Sequence, residues 1–406
     1  MGAPFRWLTR WRDAVLLGLL TIGAYGVPLY TLGVLLTPIR DAEDWSLGAL
    51  AAAYGAGLLV AGALAPLIGR ALDQMEPRNI LAPGLLVGSA LILAASYASA
   101  QPLFLATWAL GAGVIGASMQ YNVTMPVTAR LYPAAQRPAA YSALTLVGAV
   151  SSPIFFPLAG WLAQEWGWRA ALRVLTILMI ACSIPAIAII RRRLDIEPPR
   201  SADRRASQSV RQILQSPVVF LTLAMVAVSG LTSSSLILHQ VPLIEATGLS
   251  LGTAAALGGM RGFLQIPGRL ILSPMVARVG IPGALSGTYL IALAGLLAIF
   301  FAGPPVLAVL FVTLSGLSFG VMLPLHGLFA ADVYGLERLG TLTGIQQAIG
   351  SIAAAAGPFL VGLSFDATGG YRTALVALLA AQIGVMALFA LQRRATRRAT
   401  TEASAT

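Results

Sequence analysis

Long apolar runs alternate with short polar clusters along the whole chain. Twelve runs stand out, at about 13–39, 46–71, 79–99, 102–129, 138–164, 169–190, 217–244, 250–277, 281–302, 304–331, 339–365 and 371–391. A helix needs about 20 apolar residues to cross the hydrocarbon core of a bilayer, and each run is long enough to cross with some tilt. Prolines fall inside several runs, among them Pro28, Pro126, Pro153, Pro157, Pro267, Pro324 and Pro358. Membrane helices tolerate them because neighbouring helices satisfy the freed backbone groups. The pattern predicts an all-α integral membrane protein with twelve transmembrane helices. The N-terminus MGAPFRWLTRWRDAVLLGLL has basic-then-apolar character, but the apolar run continues to about Ile39 with no clear small-residue cleavage site. It reads as an uncleaved first helix.

One polar stretch, from about Arg191 to Ser216 with Pro198 and Pro199 inside it, is the linker. It divides the chain into an N-terminal six-helix bundle (1–192), a cytoplasmic linker (193–216) and a C-terminal six-helix bundle with a basic tail (217–406). The halves repeat. Gly26, Pro38, Ser46 and Gly48 recur 204 residues later as Gly230, Pro242, Ser250 and Gly252. Ala129-Arg130-Leu131-Tyr132 answers to Ala331-Asp332-Val333-Tyr334, and Gly160, Gly167 and Arg169 answer to Gly362, Gly370 and Arg372. Duplication predicts two pseudo-symmetric bundles with a binding site at their interface near the bilayer midplane.

Composition agrees. Of 406 residues, 57% are hydrophobic and only 10% charged, with a mean hydropathy of +0.82. A net charge of +11 raises the question of nucleic acid. The placement of the charge answers it: all 26 basic residues are Arg, and twenty fall on one side of the twelve-span topology against four on the other. That is the positive-inside pattern, so the expected partner is a lipid bilayer and not nucleic acid. It also puts both termini in the cytoplasm of a multi-pass protein of the cell's inner membrane. Cys182 is alone, so no disulfide framework or metal cluster is expected, and no cofactor motif is present. Gly111-x-Gly113-x-x-Gly116 and Gly316-x-x-x-Gly320 read as close helix packing, because no strand precedes either.

Against this apolar background Arg261 is conspicuous. It falls near the middle of the eighth run, where a guanidinium costs about 3 kcal/mol on insertion scales. All fifteen acids sit at segment ends, in loops or in tails. A membrane cation without a protein anion predicts an anionic guest, and the fork of Arg donors suits a carboxylate. Structural tethering by backbone carbonyls and neutral side chains is the alternative. Gly258, Gly259 and Gly262 would let a ligand or the opposite half approach the helix. Gln265, one turn on, faces nearly the same way. Arg269, two turns nearer the cytoplasm, reads as a snorkelling or gating residue. In the fourth run, Gln120-Tyr121-Asn122 is a polar cluster. Tyr121 and Asn122 are candidate cavity residues, with interhelical hydrogen bonding as the alternative. Tyr25 and Tyr30 lie near the centre of the first run; five residues apart on an α-helix, they should face different ways, with Tyr25 the substrate-binding candidate and packing the alternative for both. Thr232, Ser233, Ser234 and Ser235 line the opposite wall or pack helices. His239 and His326 are candidates for a proton-linked role, or are hydrogen-bonded structural residues.

The loop Gly69-Arg70-Ala71-Leu72-Asp73-Gln74-Met75-Glu76-Pro77-Arg78 resembles the G-x-x-x-D-R/K-x-G-R loop of the major facilitator superfamily. It keeps Gly69 and Asp73, has Gln74 at the basic position and Glu76-Pro77 in place of Gly-Arg. Arg278-Val279-Gly280 resembles the complementary loop. The resemblance covers about residues 12 to 392 and implies alternating access, a latch between the halves from Arg70, Asp73 and Arg278, and function as a monomer. Tyr25-Gly26, Pro38, Trp45-Ser46 and Arg261 are similar to the monocarboxylate transporter and oxalate:formate antiporter group. That similarity implies a small anionic substrate of the lactate or pyruvate kind, held at Arg261, with a cavity tyrosine at Tyr121; proton symport and exchange of one anion for another are both open. A single deep cation favours monocarboxylates over dicarboxylates. Two other readings stay open. Gly357-Pro358 and Ser152-Pro153 partly resemble the Gly-Pro motif of drug exporters, and an anion exchanger for dicarboxylates fits the same cation. No nucleophile and base stand together, so an enzyme is not expected.

Overall fold

The computed structural model describes residues 11–190, 216–303, 305–334 and 339–405. Most of the expected linker lies outside them. The described residues form fourteen α-helices. In the N-terminal half these are α1 (Arg12–Tyr25), α2 (Leu32–Glu43), α3 (Leu47–Gln74), α4 (Arg78–Tyr97), α5 (Gln101–Met119), α6 (Tyr121–Leu131), α7 (Arg137–Gly148) and α8 (Ser151–Ile189). The C-terminal half has α9 (Pro217–Glu245), α10 (Leu251–Phe263), α11 (Gln265–Phe300), α12 (Pro305–Tyr334), α13 (Leu339–Thr368) and α14 (Arg372–Ala405).

Ten apolar helical stretches are long enough to cross a membrane. Two of them, Ala139–Ile189 and Leu251–Phe300, run for 51 and 50 residues. At 1.5 Å per residue each is about 75 Å long, more than twice a hydrocarbon core of about 30 Å. Besides minor breaks that stay near helical geometry, each reverses direction once, at Gly167 (φ 77°) and at Gly280 (φ 70°). Only glycine takes up that positive-φ geometry without strain, so the chain folds back there. Two breaks turn ten stretches into the twelve expected passes. Large apolar side chains such as Leu86, Ile177, Ile184, Phe220, Ile352 and Ile383 stay exposed on the outside, as a lipid-facing surface requires.

The repeat is visible in local chemistry. Ser46 and Ser250 are both extended N-cap residues whose hydroxyls accept a backbone N–H three residues on, from Ala49 and Thr253. Such caps satisfy helix-end donors that otherwise have no partner. One pairing shifts by a residue: the left-handed glycine matching Gly167 is Gly369, not Gly370.

The two halves meet along two seams, α3 against α13 and α8 against α10. Gly48 of α3 lies against Gly362 of α13, and Gly160 of α8 lies against α10 at Leu251 and Ala255. Polar contacts add to the first seam. Asp366 accepts the backbone N–H groups of Leu47 (2.9 Å) and Gly48 (2.7 Å), at the positive end of the α3 dipole. Nearby, Thr37 donates to Glu245 (2.8 Å) and the Arg40 guanidinium sits over Phe365. All these contacts lie on one face of the molecule. The other face carries Arg12, Arg70, Arg78, Arg137, Arg278 and the last turns of α14, and is called the basic face below. There one side of α3 faces open space: a Cβ on Gly62 or Gly69 would meet nothing within 4 Å.

Candidate functional site

The first pass does not stay α-helical. Gly26–Thr31 is a π-helical turn, with Pro28 inside it and the Thr31 hydroxyl bonded back to the Gly26 carbonyl (3.0 Å). In a π turn the repeat is i to i+5. Tyr25 and Tyr30, expected on different faces, therefore both point into the space between the halves. Proline removes a backbone donor, and the wider turn absorbs the loss.

The fourth pass breaks at Gln120, whose extended backbone (φ −85°, ψ −171°) separates α5 from α6. The Gln120 side chain donates to the Ala24 carbonyl (3.0 Å), tying the break to α1. Tyr121 then opens α6 with its ring 5.0 Å from that of Tyr25. Its hydroxyl lies over Gly148, where any Cβ would collide with it. Asn122 turns the other way: it is exposed and donates to the Ala117 carbonyl (2.8 Å), and it does not line the cavity.

Arg261 closes the cavity from the C-terminal half. Its side chain is only 3% exposed. Nε donates to Ser315 Oγ (3.0 Å) on α12, and Nη1 donates to Gln240 Oε1 (3.1 Å) on α9. The guanidinium carbon sits 5.2 Å from the centre of the Phe319 ring, a cation–π contact. No carboxylate reaches it among the described residues, and Nη2 makes no hydrogen bond there. α12 approaches through Gly316 and Gly320, which lie against the backbone carbonyls of Arg261 and Gln265. This is the close packing expected of that glycine pair. Gly258, Gly259 and Gly262 admit the opposite half: their Cβ positions would meet Phe156, Pro157 and the Ser152 hydroxyl of α8.

The resulting cavity has a volume of about 240 Å³ and lies between the two halves. Its N-terminal wall is aromatic, with Tyr25, Tyr30, Tyr121 and Phe156; the C-terminal wall carries Gln240, Arg261, Gln265 and Arg269. Arg269 is exposed while lining the cavity, and eight residues place it about 12 Å from Arg261 toward the basic face. The cavity therefore opens at the basic face and is sealed at the other.

The remaining candidates lie elsewhere. Thr232 and Ser233 line a small polar void of about 30 Å³ behind Arg261, with Ser229, Ser318 and Gln382. His239 is fully buried inside the C-terminal half, donating from Nε2 to the Pro358 carbonyl (2.9 Å) and accepting at Nδ1 from the Tyr371 hydroxyl (3.3 Å). His326 pairs with the Tyr289 hydroxyl (2.8 Å). Neither histidine lines the cavity. Arg70 and Arg278 are exposed at the basic face and bond to no described residue; the Asp73 side chain lies outside what is described. Among the described residues no group of His, Cys, Asp or Glu gathers as a metal site.

Sequence reasoning did not single out Gln240, Ser315, Phe156 or Phe319. Gln240 carried a usable signal, as an amide inside an otherwise apolar run. Nothing marked the aromatic residues, which look like any membrane-core side chain.

Known proteins agree with this architecture. The chain is 25% identical over 371 residues to the uncharacterized transporter YycB of Bacillus subtilis (strain 168), covering 87% of this chain and 86% of YycB. It is also 25% identical over 376 residues to the uncharacterized MFS-type transporter YcxA of the same organism, covering 87% and 88%. Its fold is similar to a bacterial homolog of the human lysosomal transporter Spinster in an inward-facing, occupied conformation, with TM-score 0.74, 15% identity and 98% of each chain covered. The nucleoside transporter NupG superposes with TM-score 0.73 at 14% identity, over 94% of this chain and 98% of that one. The model of the Major Facilitator Superfamily matches residues 15–358. With twelve passes in two repeated halves around a central cavity, this multi-pass membrane protein belongs to that superfamily of transporters.

Proposed function

We propose that the chain is a secondary transporter of a small monocarboxylate, which it carries across the inner membrane with both termini in the cytoplasm. The observation that carries this reading is the state of Arg261. It is buried at the cavity wall and held by two neutral acceptors through Nε and Nη1, with no carboxylate against it among the described residues. A carboxylate there gains charge-assisted hydrogen bonds in a site shielded from water. Gln240 and Ser315 hold the guanidinium without neutralising it, so the charge is available to substrate. Loading cancels the charge and lets the cavity close at the basic face; the two halves then rock so that the seal at Asp366 and Glu245 opens. Co-transported protons have no acidic side chain and no histidine to ride on among the described cavity residues. In this scheme the proton travels on the substrate carboxyl, and the protein works as a monomer.

A second reading rests on Arg269. Two cations about 12 Å apart in one cavity suit a dicarboxylate exchanger. Counterflow in proteoliposomes separates the two. Vesicles loaded with an unlabelled monocarboxylate should accumulate the labelled compound, and external dicarboxylate should not compete. Efficient competition by dicarboxylates moves the reading to exchange, and accumulation of lipophilic cations without any carboxylate flux overturns both.

A further inference from the structure

The aromatic wall of the cavity has no part in holding Arg261, and that wall bears on the body of the substrate. Tyr25 and Tyr121 form one tilted pair at 5.0 Å, and Tyr30 and Phe156 form another at 5.2 Å. All four rings line the cavity facing Arg261, and Phe319 lies beneath the guanidinium from the other half. The fold spends special geometry on this wall. A π turn brings Tyr30 beside Tyr25, and Gly148 leaves the space that Tyr121 occupies. Aromatic clusters elsewhere, such as Trp45, Phe104, Trp108 and Trp168, are sealed in the core, whereas Tyr25, Tyr30 and Tyr121 are only partly buried and line open space. Rings prefer to meet other rings edge-on or offset, with an attraction beyond the area they bury. At about 240 Å³ the cavity falls just below the range of about 300–1,000 Å³ typical for drug-sized ligands, so the guest is small.

We infer that the substrate is a planar aromatic or heteroaromatic monocarboxylate, its carboxylate on Arg261 and its ring against Tyr25, Tyr30, Tyr121 and Phe156. This rests on the carboxylate reading above and narrows it, placing lactate-sized aliphatic acids below aryl acids in affinity. A cyclohexane ring is as apolar as benzene but is puckered and has no π face, so it isolates the contribution of the aromatic wall.

The test is binding of four probes to the purified full-length protein in lipid nanodiscs, by calorimetry: benzoate, cyclohexanecarboxylate, lactate and the neutral analogue benzamide. Benzoate should bind about five-fold tighter than cyclohexanecarboxylate, as one or two ring–ring contacts would give. It should bind at least tenfold tighter than lactate, and benzamide should bind more weakly than any of the acids. Cyclohexanecarboxylate or lactate binding as tightly as benzoate, with benzamide still weak, overturns the aromatic inference and leaves the carboxylate reading standing. Benzamide binding as tightly as benzoate overturns the carboxylate reading itself. The variants Phe156→Leu and Tyr25→Leu give an internal control. In either one that folds, the benzoate to cyclohexanecarboxylate ratio should fall toward one. A ratio unchanged in both counts against the wall as its source.

Discussion

The two walls of the cavity come from duplicated halves, yet their chemistry is opposite. By the repeat, Arg261 corresponds to Gly57, Gln265 to Ala61 and Arg269 to Ala65 in the N-terminal half. In the other direction, Tyr25 corresponds to Ser229 and Tyr30 to Ser234. The helices superpose in role, down to the matching caps at Ser46 and Ser250. What differs is which half supplies charge and which supplies rings. Duplication explains the scaffold and the position of the cavity, while divergence at a few matched positions explains what the cavity can hold. A guanidinium on both walls would repel itself across the closed state; in the proposed function, a guanidinium facing rings serves to bind one anion and stack its body.

Removing the charge should break this contrast most. Arg261→Gln keeps donors on the C-terminal wall but no cation, and should lower uptake efficiency by roughly 100-fold, about 3 kcal/mol, as for a charge-assisted contact. Radiolabelled uptake checks it, with size-exclusion behaviour confirming the fold. Loosening the charge comes next. Gln240→Leu leaves Arg261 with Ser315 as its one side-chain hydrogen-bond partner among the described residues, and the loss of one hydrogen bond, about 1 kcal/mol, should weaken substrate binding about five-fold. The aromatic wall should give a similar or smaller effect: Tyr121→Leu removes one ring pair, about 1 kcal/mol, and should change discrimination among acids more than maximal rate.

The smallest effect concerns the seams, where the halves also differ. Asp366 accepts two N–H groups at the start of α3, whereas its repeat counterpart at the start of α10 is Gln164, beside Gly252. One seam is held by a charge and the other is neutral. Asp366→Asn should cost about 1 kcal/mol of closure at that face. A cysteine placed at Thr37 should then react with a polar thiol reagent several-fold faster than in the Asp366 background, while Gln164→Leu leaves its rate nearly unchanged.

Much of the fold was legible in the sequence because membrane helices advertise themselves by length and hydropathy, and the glycine and serine signatures of the repeat survive duplication. Arg261 was legible for the same reason: charge inside an apolar run is costly and stands out. Tyr30 was not, because periodicity assumes an α-helix, and a single π turn around Pro28 rotates everything beyond it. Asn122 misled because the break at Gln120 turns its amide back to Ala117. Gln240 and Ser315 were hidden by distance along the chain: both reach Arg261 from other helices, and only the packing of α9, α10 and α12 brings them together.

Equilibrium binding of one labelled monocarboxylate to the wild-type protein and to Arg261→Gln, at fixed ionic strength, bears on the central claim most directly. The account predicts saturable binding to the wild type and an affinity at least about 100-fold lower in the variant, with melting temperature in the absence of ligand little changed. Equal affinity in the two proteins would contradict it, for then the buried guanidinium is a tether between helices and the anion is held elsewhere.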